Sequence, residues 1–232
     1  MIRGRLQVTV EPEVEPVSLD EIYSWLRLDP EGSPPTHPDE AMLRSLIKAG
    51  RQYVEKSTRR SLVAQTILYS IIDQDPYPGA PEGVMGWFSG CYYLPPVNLP
   101  GPSGWNRIEL FRPPVIGVLS VSSIDADGNP VVMAPASYRL VNSGTQVAFI
   151  ESIGDAAWPQ SGVAGRGLQI LYRAGYEGTG SPPDLTDGIP EDIKTAIKLW
   201  VQRMYDPLAK DQSDVYDEAI KNILTGYQVY SF

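Results

Sequence analysis

The stretch from His37 to Arg60, HPDEAMLRSLIKAGRQYVEKSTRR, limits the fold most strongly. Leu43, Leu46, Ile47, Gly50, Tyr53, Val54 and Ser57 recur at three- and four-residue steps, so they share one helical face. Arg44, Lys48, Arg51, Glu55 and Lys56 take the other face. Pro38 fits the first helical turn, and Asp39 and Glu40 suit the positive end of the helix dipole. At ~3.6 residues per turn the run makes about five turns, long enough to be the spine of a domain. Directly after it, Leu62 to Asp73 (LVAQTILYSIID) turns β-rich, so the spine feeds into a strand.

Upstream, residues 1–10 (MIRGRLQVTV) alternate weakly and read as an edge strand or an arm, followed by an acidic link from Glu11 to Pro16. Ser18 and Glu21 have the spacing of a capping box, with Val17 and Ile22 placed as its hydrophobic staple. The spacing predicts a short helix from Leu19 to Leu28 that buries Leu19, Ile22, Trp25 and Leu26 and stops before Pro30. Near the other end, a helix is predicted from Pro190 to Tyr205, with Pro190 at its first position and Pro207 soon after its end. Its apolar stripe is Ile193, Ala196, Ile197, Trp200, Val201 and Met204, and Ile197 and Trp200 are expected to share a core with Ile47 and Tyr53. A last helix runs from about Asp214 to Leu224 and ends at Gly226.

Between these ends the pattern is β. From Arg107 come IELF, VIGVLSVSSI, VVM, YRLV, QVAFI and LQILYRAGY, with Asp127-Gly128 marking a hairpin. The turn spacing predicts a compact antiparallel unit of roughly five to seven strands. Helices at both ends thus enclose a β unit. Gln74 to Asn106 has no periodicity, yet it holds Trp87, Phe88, Tyr92, Tyr93 and Trp105 and is far longer than ordinary connections. Aromatics on a loop hanging free in water are an aggregation liability. Two arrangements are open: the loop folds back on its own β unit, or it reaches a neighbouring subunit. The second is favoured, because its prolines stiffen an extended arm and lower the entropy lost on docking. The tail Tyr227-Gln228-Val229-Tyr230-Ser231-Phe232 is too apolar for a free end, so Tyr227, Val229, Tyr230 and Phe232 are expected to cover a neighbour's surface.

Composition excludes several classes. The formal charge is −9 and the pI about 4.7, so tight unassisted binding of nucleic acid is not expected. A single cysteine, Cys91, cannot form an internal disulfide. No apolar run approaches the ~18 residues of a membrane span, and the N-terminus lacks a signal-peptide core. The chain is expected to be soluble and intracellular when made. Asp125, Asp127 and Asn129 resemble the start of a calcium loop, but Ala136 stands where the bidentate Glu belongs. His37, the only histidine, sits on a proline-rich helix entry with no nucleophile elbow in the chain, which suits a capping or surface role. Gly175, Gly178 and Gly180 do not have phosphate-loop spacing. No catalytic residue, cofactor or metal is expected.

Taken in order, several stretches resemble the head–tail connector (adaptor, or head-completion) proteins of long-tailed bacteriophages. These are Pro16-Val17-Ser18-Leu19-Asp20-Glu21 with Leu26-Arg27-Leu28, then Leu46-Ile47-Lys48-Ala49 and Val54 to Leu62 with Gln65-Thr66. Arg112-Pro113-Pro114-Val115, Tyr172-Arg173-Ala174-Gly175-Tyr176 and Ile189 to Lys194 complete the set. The sequence departs from the pattern at the aromatic insertion and at Asp206-Pro207. The resemblance implies an α+β fold: a small helical bundle from 17–60 and 189–226, with an antiparallel β unit at 61–176 that includes the 74–106 loop. An N-terminal arm at 1–16 and a C-terminal docking tail at 227–232 flank it. It further implies a structural virion protein at the neck, made in the host cytoplasm and assembled as a twelvefold homo-oligomeric ring. The portal protein above, and a tail or neck protein below, would be its partners. Double-stranded DNA would pass through without sequence-specific binding, and an acidic lumen would repel it. The other class open at this point is a β module that binds a ligand such as a carbohydrate through exposed aromatics.

Overall fold

The computed structural model describes residues 4–32, 36–71, 107–125, 127–144, 147–154, 156, 158–159, 168–178, 186–206 and 213–229. They form two compact units. One is Met1–Glu11 with Gln65–Ala174, the other Pro12–Ala64 with Gly175–Phe232. The class is α+β, with four α-helices and two antiparallel sheets among the described residues.

The helical unit holds α1 (Leu19–Leu26), α2 (Glu40–Thr58), α3 (Glu191–Tyr205) and α4 (Ser213–Thr225). The capping box forms as its spacing predicts: the Glu21 amide donates to Ser18 Oγ at 3.2 Å, and the Ser18 amide to Glu21 Oε2 at 2.8 Å. α1 ends earlier than the expected Leu28, because Arg27 turns into the left-handed region at φ 56°. α2 begins at Glu40, so Pro38 lies in the turn that precedes it. Likewise Pro190 is the residue before α3, with an extended ψ of 135°, and not its first helical position. The core of the unit joins Ile22, Leu43, Ile47, Val54, Ile193, Ile197, Val201 and Ile220, each at most 2% exposed.

Several expected placements on these helices are corrected. Trp25 is 39% exposed, with its indole N–H donating to Gln202 Oε1 at 2.9 Å, so its polar edge is satisfied at the rim. Tyr53 is also 39% exposed and stacks on Trp200, centroids 6.1 Å apart, while Trp200 only partly enters the core. Gly50 explains this: a Cβ there would lie 3.2 Å from the Trp200 ring, so the indole covers the glycine and Tyr53 lies outside it. Met204, at the end of the α3 stripe, is 44% exposed. Conversely, Arg51 and Glu55, assigned to the solvent face, are buried. The Arg51 guanidinium bonds Glu15 Oε2 at 2.8 Å and Glu55 Oε2 at 3.2 Å, and Glu55 Oε1 accepts the Leu62 amide at 3.1 Å. Burial is tolerable there because each charge meets its opposite.

The β unit has a five-stranded sheet in the order β1-β2-β8-β4-β5 and a three-stranded sheet β3-β7-β6. The strands are β1 (Gly4–Val10), β2 (Gln65–Ile71), β3 (Arg107–Leu110), β4 (Val115–Ile124), β5 (Pro130–Val132), β6 (Tyr138–Val141), β7 (Ala148–Ser152) and β8 (Gln169–Ala174). Residues 4–10 are therefore an edge strand, paired antiparallel to β2 from Gly4↔Ile71 to Val10↔Thr66. Alternation drives β2, where Gln65, Ile67, Tyr69 and Ile71 are buried and the residues between them are not. The β4–β5 hairpin forms at the Asp-Gly signal. Asp125 Oδ1 accepts the amides of Asp127 and Asn129, and Gly128 takes φ +89°. On the outer face of the smaller sheet, Glu151 on β7 is bonded by Arg107 from β3 and Arg139 from β6. The Arg139 hydrogen bond chiefly holds the Glu151 carboxyl below its ordinary pKa.

Candidate functional site

Two of the stretches behind the sequence resemblance meet in the helical unit. After α2, Arg59 takes the left-handed region at φ 58° and turns the chain into Arg60-Ser61-Leu62-Val63. Val63 bridges Tyr176 in parallel, and the Tyr176 amide donates to the Leu62 carbonyl at 3.1 Å. This close approach requires Gly175, whose φ is +141° and whose added Cβ would stand 2.3 Å from the Val63 carbonyl carbon.

The chain end is built onto the same place. α4 closes with Tyr227, whose amide donates to the Leu224 carbonyl at 3.0 Å. The Tyr227 carbonyl accepts Arg60 Nε at 2.7 Å, and Arg60 Nη1 also donates to the Tyr176 hydroxyl at 3.3 Å. The Tyr227 hydroxyl donates to Asp192 Oδ2 at 3.2 Å, at the start of α3. Burial and that carboxylate together push its pKa up. Val229 donates its amide to the Thr58 carbonyl at 3.0 Å, satisfying a group at the end of α2 that the helix leaves unpaired. Of the expected interface residues, Tyr227 and Val229 thus root the tail on the helical unit of their own chain. Trp87, Phe88, Tyr92, Tyr93, Trp105, Tyr230 and Phe232 lie outside the described residues, as does Cys91.

Other polar groups have structural employment. His37 Nδ1 accepts the Asp39 amide at 3.1 Å, which is the helix-entry role expected of it. The Tyr205 hydroxyl donates to Asp39 Oδ2 at 2.8 Å. An open cleft of about 770 Å³ borders α1 and α2 and is lined by Glu13, Glu15, Tyr23, Glu40, Arg44 and Lys48 among others. Glu15 is engaged by Arg51 and Glu40 by Arg44, so these carboxylates serve ion pairs. Among the described residues no group of three or more His, Cys, Asp or Glu is placed to hold a metal, and no helix is long and apolar enough to cross a membrane.

Periodicity missed Arg60, Arg51 and Glu55. Only the run of charges at the end of an amphipathic helix hinted at them, and their partners stand far along the chain. It also assigned Leu46 and Tyr53 to the buried face, whereas with Met42 and Ala49 they form a half-exposed row on α2. Its own spacing, i, i+4, i+7, i+11, signals it.

The described residues define an α+β protein with an anchored C-terminal tail. No family model and no curated protein matches the sequence. The fold, however, is found in solved particles. A chain in the neck of an empty gene transfer agent particle, computed with C6 symmetry, superposes with a TM-score of 0.67 at 17% identity, over 98% of this chain and 97% of that one. A chain in the virion of the native gene transfer agent gives 0.62 at 17%, covering 98% and 96%. A third, in the native neck computed with C12 symmetry, gives 0.60 at 16%, covering 98% and 97%. The shared fold runs essentially end to end in every case.

Proposed function

We propose that the protein is a structural neck component of a phage-like particle. In this reading it is a ring-forming head–tail connector that docks under the portal, extends the DNA channel and offers the attachment surface for the tail or next neck protein. The observation that carries the reading is the end-to-end fold likeness to chains of gene transfer agent necks, including necks computed with C6 and C12 symmetry. Other features fit it. A charge of −9 keeps passing DNA from being gripped. The tail is rooted at Tyr227 and Val229, and the residues that follow in sequence, Tyr230 and Phe232, have the apolar character that docking needs. The aromatics Trp87, Phe88, Tyr92, Tyr93 and Trp105 serve as anchors on a neighbouring subunit or neck protein, a task for which rigid aromatic side chains are favoured. The protein acts by assembly and carries no catalysis.

The test is a particle lacking only this protein. Full heads with no joined tails are expected. Normally joined particles would overturn the reading, as would a catalytic activity lost on changing His37.

A further inference from the structure

α2 carries a second apolar row beside the one it buries. Met42, Leu46, Ala49 and Tyr53 align along one side of the helix, with Met42 47% and Tyr53 39% exposed. Trp200, under Tyr53, and Met204, one turn further along α3, add apolar surface. Next to this row the solvent side of α2 presents Gln52, Lys56 and Arg59, all exposed. The acids of α2 do not offset them: Glu40 pairs with Arg44 at 2.8 Å, and Glu55 is buried on Arg51. A chain of net charge −9 therefore shows a basic, apolar strip here. The first turns of α4 show the opposite chemistry, ahead of the exposed Lys221 that follows on the same side. Asp214 and Glu218 are exposed one turn apart, and beside them stands Val215, 66% exposed. Asp217, on the same helix, is already held by Arg203.

We propose that the α2 strip of one copy seats the Asp214–Val215–Glu218 face of the next copy. The inference rests on the ring reading. A closed ring needs a heterologous contact, in which two different patches of the same chain meet. Here the patches differ in sign, so each repels itself and attracts the other, which fixes both partner and direction. Val215 seats against Tyr53 at the end of the apolar row, while Lys56 and Arg59, one to two turns beyond, face the two carboxylates. Methionine and tyrosine suit such a seat, one adaptable and the other rigid.

The experiment uses the full chain with Cys91→Ser. Oxidation of the double variant Tyr53→Cys, Val215→Cys should give a ladder of covalent oligomers, and a mixture of the two single variants should give dimers. A dimer from either single variant alone would mean a self-paired contact and would overturn the proposal. In parallel, Lys56→Glu with Arg59→Glu should weaken self-association in sedimentation at least about tenfold without lowering the melting temperature. Adding Asp214→Lys and Glu218→Lys should restore it. Intact rings by mass with no ladder would overturn this contact and leave the ring standing. No self-association of the parent chain and no ladder would overturn both.

Discussion

Arg51 and Glu55 were placed on the solvent side by helical periodicity, yet they are the most buried charges on α2. Periodicity describes one helix in isolation, whereas the group that makes their burial possible, Glu15, lies 36 residues away. The capping box needed no such distant partner, since both halves fall within one turn, and it was legible from the sequence. Removing Glu55 should be costly. Glu55→Ala leaves the Arg51 guanidinium short of one carboxylate and the Leu62 amide unbonded, so urea denaturation should show a loss of about 3–5 kcal/mol. A loss under about 1 kcal/mol would mean that solvent reaches the pair. Glu21 makes a second prediction at this scale. Burial works to raise its pKa from 4.5, but the hydrogen bonds from the Ser18 amide and Lys198 outweigh it and hold the carboxyl lower. Its stabilisation is therefore complete above the unfolded value near 4.5 and is lost as pH falls through the lower folded value. The urea midpoints of the wild type and Glu21→Gln should differ at about pH 6 and converge once the pH falls below the lowered folded value. A gap that stays constant over that range would refute the linkage.

At the scale of elements, α2 and α3 meet at Gly50, where an added Cβ would stand 3.2 Å from the Trp200 ring and 3.3 Å from Ile197 Cγ2. Glycine in mid-helix is unfavourable in itself, so its value here is the close approach it allows. Gly50→Val should push the helices apart and lower stability by about 1–3 kcal/mol in chemical denaturation. An unchanged midpoint would show that Trp200 swings aside freely. The same crossing explains which parts of the elements the sequence displayed. The capping box, the Asp-Gly hairpin and the β character of β2 depend on neighbours in the chain and were readable. The helix ends at Leu26, Glu40 and Glu191, by contrast, were missed by one or two residues. The exposure of Tyr53 depends on how far Trp200 spreads over Gly50, and that of Trp25 on Gln202 in another helix. No pattern within one helix encodes those. The edge strand β1 is an intermediate case: its weak alternation allowed a strand or an arm, and pairing with β2 decided between them.

At the scale of the whole molecule, the last residues divide into a root and an end with different tasks. The root is Tyr227 to Val229. Tyr227 ties Arg60 to Asp192, and Val229 closes the free carbonyl of Thr58, so these residues hold α2, α3 and the Arg60 turn together. The end, 230–232, is proposed to meet the ring's partner. Two truncations separate the tasks. Deleting 230–232 should leave the thermal transition where it is in the wild type and block joining of the particle. Deleting 227–232 should in addition lower stability, because Arg60, itself buried, loses its carbonyl acceptor. Hydrogen bonds to a charged group contribute about 1.5–3 kcal/mol each, so the added loss should be at least that large. Scanning calorimetry of the two truncated chains, with particle joining scored alongside, decides it. Equal transitions for both truncations would show that the root contributes nothing to the fold. Normal joining after loss of 230–232 alone would remove the tail from the docking surface, and the attachment would then have to come from the other aromatic segment.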